Sequence, residues 1–216
     1  MAFSEFLESR RARAKALVAA LKEQFEYVSV LGVDTRSKHI TVNANTSGIL
    51  NGDDTECGFV VKINNGGCFF EYSMDDIGAD IPAAAAQVKE SFTVSKLLRE
   101  GSIDRIVLKD EPLVQSFARP TDLASYSDKD VLSFVQKMQK ELQAKSEHIL
   151  NAMIRVSTLE VSKLFVSANR ELDQNYTWIN GFMGLAYREN DKTVQVFGFC
   201  DSANMADGMA GLPGKK

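Results

Sequence analysis

Residues 36–73 read RSKHITVNANTSGILNGDDTECGFVVKINNGGCFFEYS, and this stretch decides the fold. In Lys38–Ala44 the apolar residues Ile40, Val42 and Ala44 alternate with His39, Thr41 and Asn43, which is the period of a half-buried strand. The alternation resumes through Phe59, Val61 and Ile63 in Gly58–Ile63. Asn64-Asn65-Gly66-Gly67 then supplies residues that tolerate positive φ, and Cys68–Tyr72 returns as a third strand. The pattern predicts an antiparallel meander with no room for a helix.

Working outward, residues 4–25 predict an amphipathic helix. Ser4 is its N-cap, and Leu7, Ala14, Leu17, Val18, Leu21 and Phe25 recur at helical spacing. Tyr27–Asp34 switches to the strand period, with a slip in phase that a bulge near Gly32 would explain. After the meander, Asp80 and Pro82 predict a helix start, Ala84, Ala85, Val88, Phe92 and Leu98 its buried stripe, and Gly101 its C′ position. Residues 1–101 thus form one α+β unit. Residues 102–126 read as a linker: a short apolar run, Ile103–Leu108, then two of the chain's four prolines. Ser127–Asn151 predicts a long central helix of about 36 Å, opened by a Ser127/Asp130 capping box. Strands are expected at Ala152–Ser157, Leu159–Asn169, Asn175–Arg188 and Thr193–Asp201, the last two joined by the polar turn Glu189-Asn190-Asp191-Lys192. The expected class is α+β: two antiparallel-sheet modules, 1–101 and 127–216, each packed by helices. The halves also echo one another, since HITVNAN at 39–45 is similar to KLFVSAN at 163–169.

The chemistry-bearing residues are few. The formal charge is −4 over 216 residues, and that balance argues against a nucleic-acid binder, which needs a basic face. Three cysteines, Cys57, Cys68 and Cys200, include no CxxC pair. Cys57 and Cys68 could face one another across the hairpin, but free thiols in a cytoplasmic chain are the expectation. No apolar run approaches the length of a membrane helix, and no signal-peptide pattern opens the chain. The two histidines, His39 and His148, share no motif. Glu147-His148 lacks the second histidine that a zincin helix requires. Asp53-Asp54 and Asp75-Asp76 read as solvated turns. No nucleophile elbow, Walker loop or dinucleotide fingerprint occurs. The expectation is that the chain holds no catalytic, cofactor-binding or metal-binding residue. One positive feature remains: long strands with Ser-, Thr- and Asn-rich alternate faces, whose edges suit an extended peptide.

Three passages resemble one family. YVSVLGVDTRSKHITVNANTSGILNGDDTECGFVVKINNGGCFFEYS is similar to the opening module of the TldD/PmbA family. SDKDVLSFVQKMQKELQ is similar to the long helix of its middle module, and TLEVSKLFVSANRELDQNYTWINGFMGLAYREN to the strands that follow. These proteins are proposed zinc metallopeptidases, also known as modulators of DNA gyrase. The resemblance implies a front half of such a protein, since members are about twice as long and carry their HExxxH zinc site in the C-terminal half. It implies zinc only in that missing half, a homo- or heterodimer with a family member, and extended peptides as substrates. On this reading residues 1–216 serve dimerisation and peptide guidance, with no nucleic-acid or membrane contact. The other reading is a stand-alone protein-binding module that uses a strand edge or the long helix.

Overall fold

The computed structural model describes residues 2–66, 68–97 and 108–213. The predicted Leu98 and Gly101 at the end of the second helix, and Ile103–Val107 of the short apolar run, lie outside the described residues. Two long strands, β1 (Tyr27–Val42) and β6 (Ile149–Ser167), pair antiparallel from Ser29↔Ser167 to Val42↔Ile154. They form the centre of one eight-stranded sheet. On one side β1 carries β2 (Ser47–Asn51) and β3 (Cys57–Asn65), and β4 (Cys68–Met74) follows β3. On the other side β6 carries β7 (Arg170–Glu189), which pairs with both β5 (Leu113–Ala118) and β8 (Lys192–Ser202). The chain is α+β, as its pattern predicts, and both halves contribute to this single sheet. Each half runs helix, long strand, meander, helix.

Four helices lie on one face. α1 (Glu5–Lys22) starts where Ser4 Oγ accepts from Leu7 N at 3.2 Å, with Glu5 and Glu8 in the first turn to complement its dipole. α2 (Ile81–Leu97) is capped by Asp80, whose carboxylate accepts from Ala83 N at 3.0 Å. These two cover Val28, Val30, Phe59, Val61, Ile63, Leu164 and Val166 in one core cluster. α3 (Asp128–Gln143) and α4 (Met205–Gly211) cover a second, built on Ile40, Ala152, Ile154, Val156 and Ile179. Alternate residues of β1, β3, β6 and β7 point at the helices, so period 2 in sequence becomes a covered and an uncovered face.

Several local expectations are corrected. The Ser127/Asp130 capping box forms as predicted, but the helix ends at Gln143, about 24 Å from its start. The Gln143 amide holds the chain that follows: Nε2 donates to Ile149 O and Oε1 accepts from Ala152 N. Ile149 therefore enters the same core from a strand. Ala152–Ser157 and Leu159–Asn169 merge into β6, because Thr158 pairs with Lys38 and Ile179 without a break. No bulge interrupts β1 at Gly32. Pairing to β3 and β6 is continuous there, and the glycine instead admits Phe59 and Leu7, whose carbons stand 2.7 and 2.8 Å from where a Cβ would sit. The stretch read as a linker contains β5 and the short 3-10 turn Leu123–Ser125. Cys68 lies opposite Asn65, at the far end of β3 from Cys57, so the two do not face one another. At the β7–β8 turn Asn190 and Asp191 both take positive φ, at 47° and 62°, the geometry of a two-residue hairpin loop. No helix among the described residues is long and apolar enough to cross a membrane.

Candidate functional site

Among the described residues, the face of the sheet turned away from the helices carries no layer of its own. Strand register assembles its rows. Ser37, Leu159 and Trp178 form one row across β1, β6 and β7, and His39, Ser157, Asn180 and Asp201 form the next, which reaches β8. Thr41, Arg155, Phe182 and Phe199 form the third. A polar row thus runs across four strands between two rows that carry aromatic side chains.

The polar row is hydrogen-bonded within itself. His39 Nδ1 and Ser157 Oγ are 2.8 Å apart, and Asn180 Nδ2 donates to Asp201 Oδ1 at 2.9 Å. The aromatic side chains are grouped: the Phe182 ring lies 5.3 Å from Phe199 and 5.8 Å from Phe197. Arg155 places its guanidinium 5.2 Å from the Phe182 centroid. Beyond Trp178, Arg119 stacks on the indole at 4.6 Å while donating to Thr177 O at 2.9 Å. Stacked guanidinium groups of this kind are held in orientation and keep free N–H donors. Trp178 is 46% exposed and Phe199 56% exposed. For aromatic side chains grouped on one sheet face, that exposure is the informative observation.

Between the rows lies a shallow cleft of about 390 Å³, with Ser37, His39, Arg155, Trp178, Asn180 and Phe199 among its lining residues. Ser37 Oγ is buried there, the residue being 6% exposed, and has no hydrogen-bond partner among the described residues. A buried hydroxyl left in this state costs desolvation free energy. Gly52 packs against two of these residues. It stands so near Ser37 and His39 that a Cβ would overlap both side chains.

The residues weighed for chemistry are scattered. His39 is in the cleft as a partner of Ser157, whereas His148 is exposed after α3, its ring 5.7 Å from that of Tyr187. Asp76 is bound by Arg10 at 3.0 Å, and this contact holds its carboxyl below the usual range. Asp54 gives its backbone carbonyl to Thr35 Oγ1 at 2.7 Å. Among the described residues no three His, Cys, Asp or Glu side chains gather as a metal site. The arrangement has the features of a recognition surface: hydrogen-bonding groups in a row, flat apolar walls and oriented guanidinium groups. The polar phase of β1 was visible in the sequence. The shared parity of Tyr176, Trp178, Asn180 and Phe182 was also there, and it was the signal that would have exposed the aromatic wall.

No protein-family model matches the chain, and no curated protein matches it significantly. Solved structures do. A proposed modulator of DNA gyrase from Bacteroides thetaiotaomicron superposes with a TM-score of 0.75 at 13% identity, over 93% of this chain and 46% of its own. TldE from Thermococcus kodakarensis gives 0.67 at 12% identity, over 93% and 45%. A proposed modulator of a DNA gyrase from Thermotoga maritima gives 0.62 at 12%, over 93% and 44%. The chain therefore spans a little under half the length of each. At these identities the likeness is one of fold, and the fold of this chain is TldD/PmbA-like.

Proposed function

We propose that this chain is the non-catalytic sheet module of a TldD/PmbA-like protein, and that its uncovered face guides an extended polypeptide and its surface pairs with another subunit. The observation that carries the peptide reading is the cleft between Trp178 and Phe199, with His39, Arg155 and Asn180 in its wall. An extended backbone has alternating apolar and polar groups. Its side chains would pack on Trp178, Phe182 and Phe199, and its amides would meet His39 and Asn180. Peptidase chemistry and zinc belong, on this reading, to a C-terminal half outside this sequence.

The chain has a single tryptophan, so its emission reports on this cleft alone. Titration with tryptophan-free decapeptides of alternating apolar and polar residues should shift Trp178 emission in a saturable way. Phe199→Ser and Arg155→Ala should each weaken that binding about tenfold, the equivalent of about 1.4 kcal/mol. An emission unchanged at millimolar peptide overturns the peptide reading. Chelator-sensitive cleavage of such peptides by the 216-residue chain would overturn the non-catalytic one.

A further inference from the structure

β8 is an edge strand of 11 residues, and no strand among the described residues pairs with its outer side. Edge strands of soluble proteins are normally short, bulged, interrupted by proline or guarded by an inward charge. β8 has none of these devices. It reads KTVQVFGFCDS; no residue from Thr193 to Cys200 is charged, and its pairing to β7 runs without a register shift from Ile179↔Ser202 to Glu189↔Lys192. Val194 and Val196 on the helix side are 55% and 57% exposed, and Phe197 and Phe199 on the other side are exposed to the same degree. The strand is apolar on both faces and unprotected along its outer edge.

We infer that β8 pairs antiparallel with β8 of a second copy of this chain, in the register that places Phe197 opposite its own mate. Three features select this occupant. A twofold axis through an antiparallel pair must keep each side chain on its own face, so facing residues must share parity and the axis must pass through a residue rather than between two. The middle residue of Lys192–Ser202 is Phe197, so among the registers centred on a residue this is the one that pairs the strand over its whole length. In that register Val196 faces the small Gly198, Val194 faces Cys200, Gln195 faces Phe199 and Thr193 faces Asp201, with no like charges opposed. Finally, Lys192 and Asp201 stand at opposite ends of the strand. Antiparallel pairing brings unlike ends together, whereas a parallel pair would set like against like. The two sheets would then join into one of sixteen strands through about ten backbone hydrogen bonds. This seam rests on the subunit-pairing part of the reading above and names its surface. A single strand edge lies at the small end of specific interfaces, so a dissociation constant in the range of about 1–100 μM is expected.

The test uses the full chain. Sedimentation equilibrium at about 300 μM should give a dimer for the wild type and a monomer of 23.8 kDa for Phe197→Lys, which sets two ammonium groups face to face. In a background with Cys57, Cys68 and Cys200 replaced by serine, Phe197→Cys should form a covalent dimer on mild oxidation. Val196→Cys should not, since each residue 196 then lies two positions out of line with its mate and beyond disulfide reach. A monomeric wild type overturns the seam, a dimer that survives Phe197→Lys overturns its location, and faster cross-linking through residue 196 overturns its register. Trp178 emission with decapeptides is measured on the same samples. Peptide binding by a monomeric protein defeats the seam alone, and cross-linking without peptide binding defeats the peptide reading alone.

Discussion

The two faces of this sheet are made by the same strands and differ by one residue of phase. On the helix side of β6, Ala152, Ile154, Val156, Leu164 and Val166 are each at most 2% exposed. One step along the chain, Met153, Arg155, Ser157 and Leu159 are only partly covered, and their neighbours on β7 and β8 include Trp178 and Phe199. Stability is concentrated on the first face, where burial of apolar surface is complete. The second face keeps aromatic side chains and hydrogen-bonding groups within reach of solvent. Its residues can therefore be replaced at small cost in stability, and that freedom distinguishes a recognition surface from a core.

The largest effect that tests this contrast is truncation on the covered face. Ile154→Ala removes a fully buried side chain between β6 and the α3 core and should cost about 3 kcal/mol in urea unfolding. Phe199→Ala removes a larger side chain from the open face and should cost about 1 kcal/mol or less. Equal losses would mean that the open face is core in solution, covered by something that the single chain does not supply.

A second substitution sharpens the comparison without removing any contact. Gly32 is in extended backbone between β3 and β6, so alanine meets no conformational penalty there. Its Cβ would nevertheless press on Phe59 and on Leu7 from α1, both buried. Overpacking of this kind costs about 1–3 kcal/mol. Gly32→Ala should fall in that range, and Phe59→Leu in the same chain should recover part of the loss. A neutral Gly32→Ala would show that α1 can withdraw from the sheet, and the covered face would then be less rigid than its burial implies.

Much of the covered face was legible in the sequence because its determinants are local. The stripe from Leu7 to Leu21, the Ser4 cap and the Ser127/Asp130 box each lie within a few residues of the element they specify. The helix expected to run to Asn151 stops at Gln143, and Ile149 serves the same core from a strand. α4 was illegible for a different reason. Its sequence, MADGMAG, is only seven residues long and carries two glycines, and its first N–H groups, of Met205 and Ala206, are capped from a distance by the carboxylate of Asp122. β5 was hidden between two prolines because its partner, β7, lies more than 50 residues on. The cleft was half legible. The polar phase of β1 and the aromatic phase of β7 can each be read from period 2, but only strand register sets Ser37 in line with Trp178 across Leu159, and His39 in line with Asn180. β8 was legible as a strand, but its exposure was not: among the described residues no strand pairs with its outer side.

The smallest effect belongs to the margin where α1 meets the end of β7. Glu171 accepts from Lys15, and Arg11 reaches both Glu171 at 3.0 Å and Asp173 at 3.1 Å. The contact with Lys15, then that with Arg11, holds the Glu171 carboxyl below its ordinary range against the opposing effect of burial. A carboxylate whose folded pKa is depressed contributes stability that is fully present above its unfolded value of about 4.3. That contribution is lost as pH falls through the lower folded value. Glu171→Gln should therefore be less stable than the wild type at pH 7 by about 1 kcal/mol or less, as partly exposed pairs are worth little. The gap should narrow as pH falls below that unfolded value and the folded carboxylate takes up its proton. Urea midpoints for the two proteins at pH 7 and 2.5 read the difference directly. A gap independent of pH would assign the loss to packing of the Glu171 stem between α1 and β7, and the charge would then have no part in holding α1 to the covered face.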